Sequence, residues 1–196
     1  MNDTKLNIVV IDENPVRAAI LEDGLRDAGY TRVTRIGEMG NLLRRLADLD
    51  PDVMLIDLEN PSRDVLEQMF QVSRIVRRPV AMFVDQSDGT MIQAAVDAGV
   101  SAYIVGGLQK DRVRPILDMT ISRFNAFSRL QGELDEARGK LAERKVIERA
   151  KGILMKQRGM NEEDAYRLLR ETAMTQKKKL ADIAEGVVMA ARLLGS

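Results

Sequence analysis

Short apolar runs alternate with amphipathic segments through residue 124 of the chain. Five runs have the length and the apolar or β-branched character of strands, at residues 6–11, 32–36, 53–58, 80–84 and 102–105. The segments between them repeat apolar residues every three or four positions, which indicates helices from Pro15 onward and at residues 39–49, 64–76 and 90–98. The first of these helices carries Val16, Ala19, Ile20 and Leu25, and the second carries Leu42, Leu43, Leu46 and Leu49. Strands that alternate with helices predict an α/β fold with a doubly wound, five-stranded parallel sheet in the order 2-1-3-4-5.

A long helix is predicted after the last strand. From about residue 110 no strand pattern returns, and Pro115 is compatible with the first turn of a helix. Further along, apolar residues follow a heptad spacing over about two repeats, at Phe127, Leu130, Leu134, Ala137 and Leu141. These five residues, called the seam below, either pack against their own domain or pair with a second copy of the chain as a homodimer.

The remaining residues predict a small bundle of three helices. The first helix places an apolar face at Val146, Ile147, Ala150, Ile153 and Leu154, and it ends near Gly159, which suits a left-handed cap. The second begins at the cap Asn161 and turns inward Ala165, Leu168, Leu169 and Ala173. The third covers residues 180–194 and buries Ile183, Ala184, Val187 and Val188. The expected organisation is an α/β domain at 5–123, a coiled-coil helical linker at 124–143 and an all-α domain at 144–196.

Composition excludes several kinds of site. The 196 residues include no Cys and no His, so disulfides, thiolate sites, imidazole bases and His-ligated zinc are absent. No stretch is long and apolar enough to span a membrane, and the N-terminus lacks a signal-peptide pattern, so we expect a cytoplasmic protein.

The net charge of the chain is zero, but the charged residues are unevenly distributed along it. Residues 138–196 hold 14 Lys and Arg against 8 Asp and Glu, a charge of +6, which leaves −6 on residues 1–137. Such asymmetry points to a nucleic-acid or membrane-surface module joined to an acidic one, or else to ordinary surface variation. Gly152 lies among the basic residues of the first bundle helix and leaves its backbone open to close approach, which favours a polyanion as the ligand.

Three carboxylates follow strands that are neighbours in the predicted sheet. Asp12 and Glu13 follow the first strand, and Asp57 lies near the end of the third. These strands flank the topological switch point, where doubly wound folds bind their ligands. Carboxylates that converge there suit a hard cation such as Mg²⁺, and Asp57 is then placed to attack a phosphoryl donor. The alternative is that the acids only cap loops and helix ends.

The α/β domain resembles the receiver domain of two-component response regulators over about residues 5–123. The resemblance implies that Asp57 is the phospho-acceptor and that Asp12 and Glu13 are the metal-binding pair. Three residues depart from the pattern. Val84 lies where receivers carry a switch Thr or Ser, and Gly106 and Gly107 lie where they carry the phosphate-pairing Lys and the Pro that follows it. A phosphoryl group on Asp57 would therefore lack charge-assisted partners, which favours control by a sensor protein that sequesters the chain.

The all-α domain resembles the ANTAR domain, the RNA-binding module of transcription antitermination regulators. The matching segments are Glu148-Arg-Ala-Lys-Gly-Ile-Leu-Met155, Arg158-Gly-Met-Asn-Glu-Glu-Asp-Ala-Tyr166 and Leu169-Arg-Glu-Thr-Ala-Met174. Met82-Phe-Val-Asp-Gln-Ser-Asp88 is similar to the atypical receiver segment of nitrate-assimilation antiterminators. The resemblance implies binding to stem-loops of a nascent leader transcript, in a nitrate or nitrite assimilation operon.

The residues expected to bind RNA all lie on the bundle, and most of them are basic: Arg149, Ala150, Lys151, Gly152, Lys156, Arg158, Tyr166, Arg170, Lys177, Lys178 and Lys179. Tyr166 either stacks on a base or packs in the core, Ala150 contacts RNA or only packs, and the three lysines either bind phosphate or form a solvated loop.

Three other functions compete with RNA binding. A DNA-binding response regulator is opposed by the acidic start of the second bundle helix, at Glu162, Glu163 and Asp164. A phosphoryl hydrolase lacks an acid or base near the carboxylates, so we expect no enzyme. A pure protein-interaction switch is compatible with RNA binding.

Overall fold

The computed structural model describes residues 5–59, 61–106 and 109–193, and Gly107 and Leu194 lie outside that part of the chain. The five strands are β1 (Asn7–Ile11), β2 (Arg32–Ile36), β3 (Val53–Leu58), β4 (Val80–Val84) and β5 (Ala102–Val105). The helices are α1 (Pro15–Asp27), α2 (Leu42–Leu49), α3 (Arg63–Val76), α4 (Gly89–Asp97), α5 (Val113–Arg158), α6 (Glu162–Gln176) and α7 (Leu180–Leu193), with a 3-10 turn at Lys110–Arg112 before α5. The chain forms two compact units, Met1–Ser128 and Arg129–Ser196.

The sheet of the first unit is parallel and has the order β2-β1-β3-β4-β5, as predicted. Alternate residues of each central strand enter different cores because successive side chains of a strand point to opposite faces. In β3, Met54, Ile56 and Leu58 enter the core that contains residues of α2 and α3. Val53 and Leu55 enter the core that contains Leu21 and Leu25 of α1. Both faces of the sheet are therefore covered, and β3 is buried along its whole length.

Two predicted helices differ in detail from those observed. Of the four apolar residues assigned to α1, only Leu25 is buried, whereas Val16, Ala19 and Ile20 are exposed. The buried side of α1 consists of Ala18, Leu21, Gly24 and Leu25. The second predicted helix starts at Leu42 rather than at residue 39, because Asn41 has a φ of 55° and cannot continue a right-handed helix.

One helix of 46 residues, α5, covers the predicted linker and the first bundle helix without a break. Four apolar side chains of the seam, Phe127, Leu130, Leu134 and Leu141, are 44–64% exposed. These apolar side chains are therefore accessible to a second protein surface. No helix in the described residues is both long enough and apolar enough to cross a lipid bilayer.

The second unit contains the predicted bundle. Its buried core is formed by pairs of residues from each helix: Ala150, Leu154, Ala165, Leu169, Ala184 and Val188. Gly159 ends α5 with a φ of 65°, and Asn161 caps α6 by accepting a hydrogen bond from the backbone N–H of Asp164. These packing and capping features were predicted from the spacing of apolar residues and from the cap residues, and they are confirmed.

Candidate functional site

The receiver-like unit has an acidic pocket at the carboxyl end of its sheet. Asp12, Glu13, Asp57 and Glu59 line one cavity, together with residues of the loop that leads into α3. The three carboxylates singled out from the sequence are thus brought to one place. They meet there because β1 and β3 are adjacent parallel strands that end at the same edge.

Asp57 is fully buried and is paired with a cation from the protein itself. Alternation along β3 turns Asp57 toward the face that α1 covers. The guanidinium of Arg17 donates from Nη2 to Oδ1 of Asp57 at 2.5 Å and from Nε to Oδ2 at 3.0 Å. Its Nη1 lies 3.2 Å from each carboxylate oxygen of Asp85, which directly follows β4. The hydrogen bond to Asp57 raises the pKa of Arg17 further above its ordinary value, so this side chain stays charged.

Asp12 is almost completely buried, at 2% exposure, and only one of its two carboxylate oxygens is paired. Oδ1 accepts the backbone N–H of Asn14 at 2.8 Å, whereas the buried Oδ2 has no hydrogen-bond partner among the described residues. Burial, reinforced by the charge of Asp57, raises the pKa of Asp12 to about 6. Asp12 thus keeps one buried carboxylate oxygen that no hydrogen bond from the described residues satisfies.

The pocket does not fit a metal ion in this arrangement. Among residues 5–59, 61–106 and 109–193, no three acidic side chains are grouped closely enough to hold one. Asp12, Glu13 and Asp57 line the same cavity, but both oxygens of Asp57 are bound by Arg17. Carboxylate oxygens are suitable ligands for Mg²⁺, but the guanidinium of Arg17 is already bound to those of Asp57.

Two of the residues that depart from the receiver pattern, Val84 and Gly106, lie in the described part of the structure. Val84 is fully buried in the sheet, and its backbone oxygen accepts the N–H of Gly106 at 3.0 Å. Gly106 has a φ of 100°, a conformation that residues with a Cβ rarely adopt. A lysine at this position would be strained, so this backbone path itself favours glycine.

The bundle displays a stripe of basic residues on α5. Lys145, Arg149, Gly152 and Lys156 are spaced by four, three and four residues, which places them on one face of a helix. All four are exposed. A Cβ added at Gly152 would meet no atom within 4 Å, so the backbone there is open to solvent. We call these four residues the α5 stripe.

Two of the residues expected to bind RNA are internal instead. Ala150 is fully buried in the bundle core, and Lys151 is only 7% exposed. The Nζ of Lys151 lies 2.8 Å from Glu148 Oε1 on α5 and 2.6 Å from Glu162 Oε1 at the start of α6. Hydrogen bonds to these two carboxylates raise the pKa of Lys151. Lys151 therefore joins two helices of the bundle, and neither side chain is free for an RNA contact.

The other candidates on the bundle are exposed. Tyr166 and Arg170 lie four residues apart on α6, on the flank beside its buried face, and Tyr166 is not part of the core. Lys177, Lys178 and Lys179 form the exposed connection between α6 and α7, and Lys177 has a φ of 53°. Arg158 is exposed at the last residue of α5.

Arg17 and Asp85 were missed in the sequence. Asp85 lies in the segment Met82–Asp88 that was compared with atypical receivers, but neither residue belongs to an acidic pair or was identified as a site residue. One signal was present for Arg17, which lies four residues before the buried Leu21 and so falls on the buried side of α1. A charged residue in that position needs a partner inside the fold.

Two domain families match the sequence. The response regulator receiver domain matches residues 8–118, and the ANTAR domain matches residues 135–188. The acidic pocket lies in the first match, and the α5 stripe lies in the second.

Two curated relatives are similar to this chain, one over most of its length and one over a shorter segment. The transcriptional regulatory protein PdtaR of Mycobacterium tuberculosis is 30% identical over 182 residues, which cover 92% of this chain and 88% of PdtaR. The nitrate regulatory protein of Klebsiella oxytoca is 33% identical over 75 residues, covering 38% of this chain and 19% of that protein.

Solved structures similar to this one share the receiver-like fold. A pilus assembly-related protein of Burkholderia pseudomallei superposes with a TM-score of 0.55 at 24% identity, over 63% of this chain and 94% of its own. A response regulator of Thermotoga maritima superposes with a TM-score of 0.51 at 20% identity, over 60% and 98% of the two chains. At these identities the likeness concerns the fold.

The raised pKa of Asp12 predicts that the stability of the folded chain depends on pH, and that Asp12→Asn removes this dependence. Its pKa is about 6 when folded against an ordinary 3.8, so between these values the folded chain binds more protons than the unfolded chain. Stability therefore falls as pH rises through this window, by up to about 3 kcal/mol at about 1.4 kcal/mol per pKa unit. Thermal melts in EDTA should show Asp12→Asn more stable than the wild type at pH 7.5, with the difference shrinking near pH 4.

The exposed Asp48 on α2 provides a matched control. Asp48→Asn should melt with the same pH profile as the wild type. A stabilisation by Asp12→Asn that is equal at pH 4 and pH 7.5 would show that burial of this carboxylate does not shift its titration.

Proposed function

Since the chain belongs to the response regulators that join a receiver domain to an ANTAR domain, we propose that it is an RNA-binding regulator of transcription antitermination. Its ligand would be stem-loops of a nascent leader transcript, held in a form that excludes a terminator hairpin. The observation that carries the proposal is the α5 stripe, an exposed cationic helix face interrupted by a glycine.

The geometry of the α5 stripe suits a phosphate backbone. Arg149 and Lys156 lie seven residues apart, which is about 10 Å along a helix at 1.5 Å per residue. Gly152 lies between them and has no side chain, so a nucleic-acid strand can approach the helix between the two cations. Phosphate contacts of this kind supply affinity, whereas sequence is read from the unstacked bases of loops.

Tyr166 and Arg170 offer the second type of contact. A tyrosine that is 42% exposed presents an aromatic face on which an unpaired base can stack, and a nearby arginine can pair with a phosphate or stack in turn. We retain Arg158, Lys177, Lys178 and Lys179 as further phosphate contacts, and we assign Ala150 and Lys151 to the fold of the bundle.

We further propose that a nitrate- or nitrite-assimilation transcript is the target and that a sensor protein gates the chain by sequestering it. The name of the Klebsiella oxytoca relative supports the first part, since it is a nitrate regulatory protein. The absence of a hydroxyl at Val84 and an ammonium at Gly106 supports the second, because a phosphoryl group on Asp57 would lack its usual partners.

Two alternatives remain as outcomes of the tests. Activation by phosphorylation is favoured by the acidic pocket itself, where Asp57 lies at the end of β3. Binding to DNA is disfavoured because the first turn of α6 carries Glu162, Glu163 and Asp164, whose charges would face the DNA phosphates.

Replacing Arg149 and Lys156 together by Ala should weaken binding of the full chain to a two-hairpin RNA by at least about tenfold. The slope of log affinity against log salt should fall by about 1.4–1.8, because two phosphate contacts are lost. Filter-binding titrations at several salt concentrations measure both. Arg129→Ala with Arg138→Ala is the matched control, since it removes two exposed charges from α5 outside the bundle core and should leave binding unchanged.

Gly152→Leu tests the approach of RNA to the backbone without changing the charge. A Cβ at this position meets no neighbouring atom within 4 Å outside the helix's own backbone, and leucine is a better helix former than glycine by about 0.8 kcal/mol. The variant should therefore melt higher and yet bind RNA more weakly. Unchanged RNA affinity in both Gly152→Leu and the double alanine variant would exclude the α5 stripe as the binding surface.

The exposed seam predicts self-association through α5. Light scattering of the chain with a two-hairpin RNA should give a mass that corresponds to two chains, because the apolar side chains at Leu130 and Leu134 gain by leaving water. Replacing both by Ser should return the complex to one chain per RNA. A monomer both with and without RNA would refute pairing through the seam.

Asp57→Ala separates control by a partner from control by phosphate. If a sensor protein gates the chain, this variant should still promote readthrough of a reporter behind its leader RNA, at a level within about twofold of the wild type. Immunoblots and melting curves check that it is abundant and folded. Loss of readthrough by a folded, abundant variant would make phosphorylation of Asp57 the leading mechanism.

A further inference from the structure

Arg17 binds both carboxylate oxygens of Asp57, the atoms with which Asp57 would bind a cation in the acidic pocket. Its guanidinium forms a two-point fork on the carboxylate, with Nη2 on Oδ1 at 2.5 Å and Nε on Oδ2 at 3.0 Å. Forked arginine–carboxylate pairs are among the strongest charge-assisted hydrogen bonds in proteins. Both oxygens of Asp57, which lines the pocket, are thus already bound by a fixed positive charge.

The surrounding structure holds Arg17 in this position. Asn14 caps α1 by accepting the backbone N–H groups of Val16 and Arg17, which fixes the direction in which the first turn of the helix starts. The remaining nitrogen, Nη1, is shared by both oxygens of Asp85 at 3.2 Å. The side chain of Arg17 is only 18% exposed, so water offers it little competing solvation.

A divalent cation and the guanidinium need the same oxygens. Within the pocket, Asp12 keeps one buried, unpaired carboxylate oxygen, and Glu13 lies beside it on the cavity wall. These two acids could contribute ligands, but Asp57 must release Arg17 before it can contribute a third. The positive charge of Arg17 would also repel any cation that approached Asp12.

We propose that Arg17 is the built-in counter-ion of Asp57 and acts as an autoinhibitory contact that keeps divalent cations out of the acidic pocket. The pocket accepts a cation only when the guanidinium leaves Asp57. Asp85 can keep hold of Arg17 outside the pocket, so the displaced side chain retains a partner. The inference concerns the receiver domain and does not depend on RNA binding by the bundle.

The test compares the response of the full chain and of Arg17→Met to Mg²⁺. Methionine has a similar length and no charge, so it removes the fork and leaves Asp57 buried without a partner. In EDTA the variant should melt below the wild type. In 10 mM Mg²⁺ its melting temperature should rise, whereas that of the wild type should change little, and calorimetric titration should show at least tenfold tighter Mg²⁺ binding by the variant.

Two further variants control this experiment. Arg26→Met removes the same charge from the same helix at an exposed pair with Asp23, and it should respond to Mg²⁺ as the wild type does. Asp57→Asn combined with Arg17→Met should lose the tight Mg²⁺ binding, which would identify Asp57 as the exposed ligand.

Arg17→Lys keeps the inference testable if Arg17→Met does not fold. Lysine retains the positive charge but cannot form the fork, so this variant should bind Mg²⁺ more tightly than the wild type and more weakly than Arg17→Met. Wild-type protein that already binds Mg²⁺ as tightly as the Arg17 variants would overturn the proposal. So would an Arg17→Lys variant that is folded and has unchanged Mg²⁺ affinity.

Discussion

A carboxylate that is wholly buried must be paired, and the acidic end of the receiver domain is organised around this need at Asp57. The side chain lies on a strand that is buried on both faces, so water cannot solvate its charge. Arg17 on α1 donates hydrogen bonds to Asp57. Its remaining nitrogen donates to Asp85, which follows the end of β4. One ion-pair network therefore connects helix α1 to the ends of two strands, β3 and β4. Because removal of one partner from a buried pair costs several kcal/mol, the network also constrains which substitutions the pocket tolerates.

The bundle contains a second internal ion pair that serves a different purpose. Lys151 pairs with Glu148 on its own helix and with Glu162 on the next, at the point where α6 starts. Glu162 would in any case be favourable at a helix N-terminus, because its charge complements the helix dipole. The pair thus ties the start of α6 to α5 beside the core residue Ala150. The net positive charge of this segment comes from the cations that remain on the surface.

The secondary structure and the topology of the sheet were predictable, because they depend on the spacing of apolar residues and on the order of strands and helices along the chain. Strand and helix repeats differ in period, and parallel strands end at a common edge, so Asp12 and Asp57 could be placed in one pocket without coordinates. The predicted buried face of α1 was wrong. The apolar residues Val16 and Ile20 are exposed, whereas the small residues Ala18 and Gly24 form much of the buried side. The role of Arg17 depends on a contact between residues 40 positions apart, and no local pattern encodes such a contact. Gly106 was identified as a departure from the receiver pattern, but its φ of 100° became visible only in the structure.

A sequence motif rich in basic residues does not distinguish cations that bind a ligand from cations that bind the protein. The segment from Glu148 to Lys156 contains both kinds, and only burial separates them. Ala150 packs in the core, Lys151 pairs with Glu162 on α6, and Glu148 pairs with Lys151, so these residues have roles within the bundle itself. Arg149, Gly152 and Lys156 lie on another side of the same helix, where no contact within the described bundle requires an arginine, a glycine or a lysine. A glycine in the middle of an exposed helix face costs about 1 kcal/mol of helix stability, and nothing packed against Gly152 offsets that cost. On the proposal that the bundle binds RNA, the missing side chain at Gly152 lets a strand approach the helix, and the two cations that flank this glycine complement the negative charge of the strand.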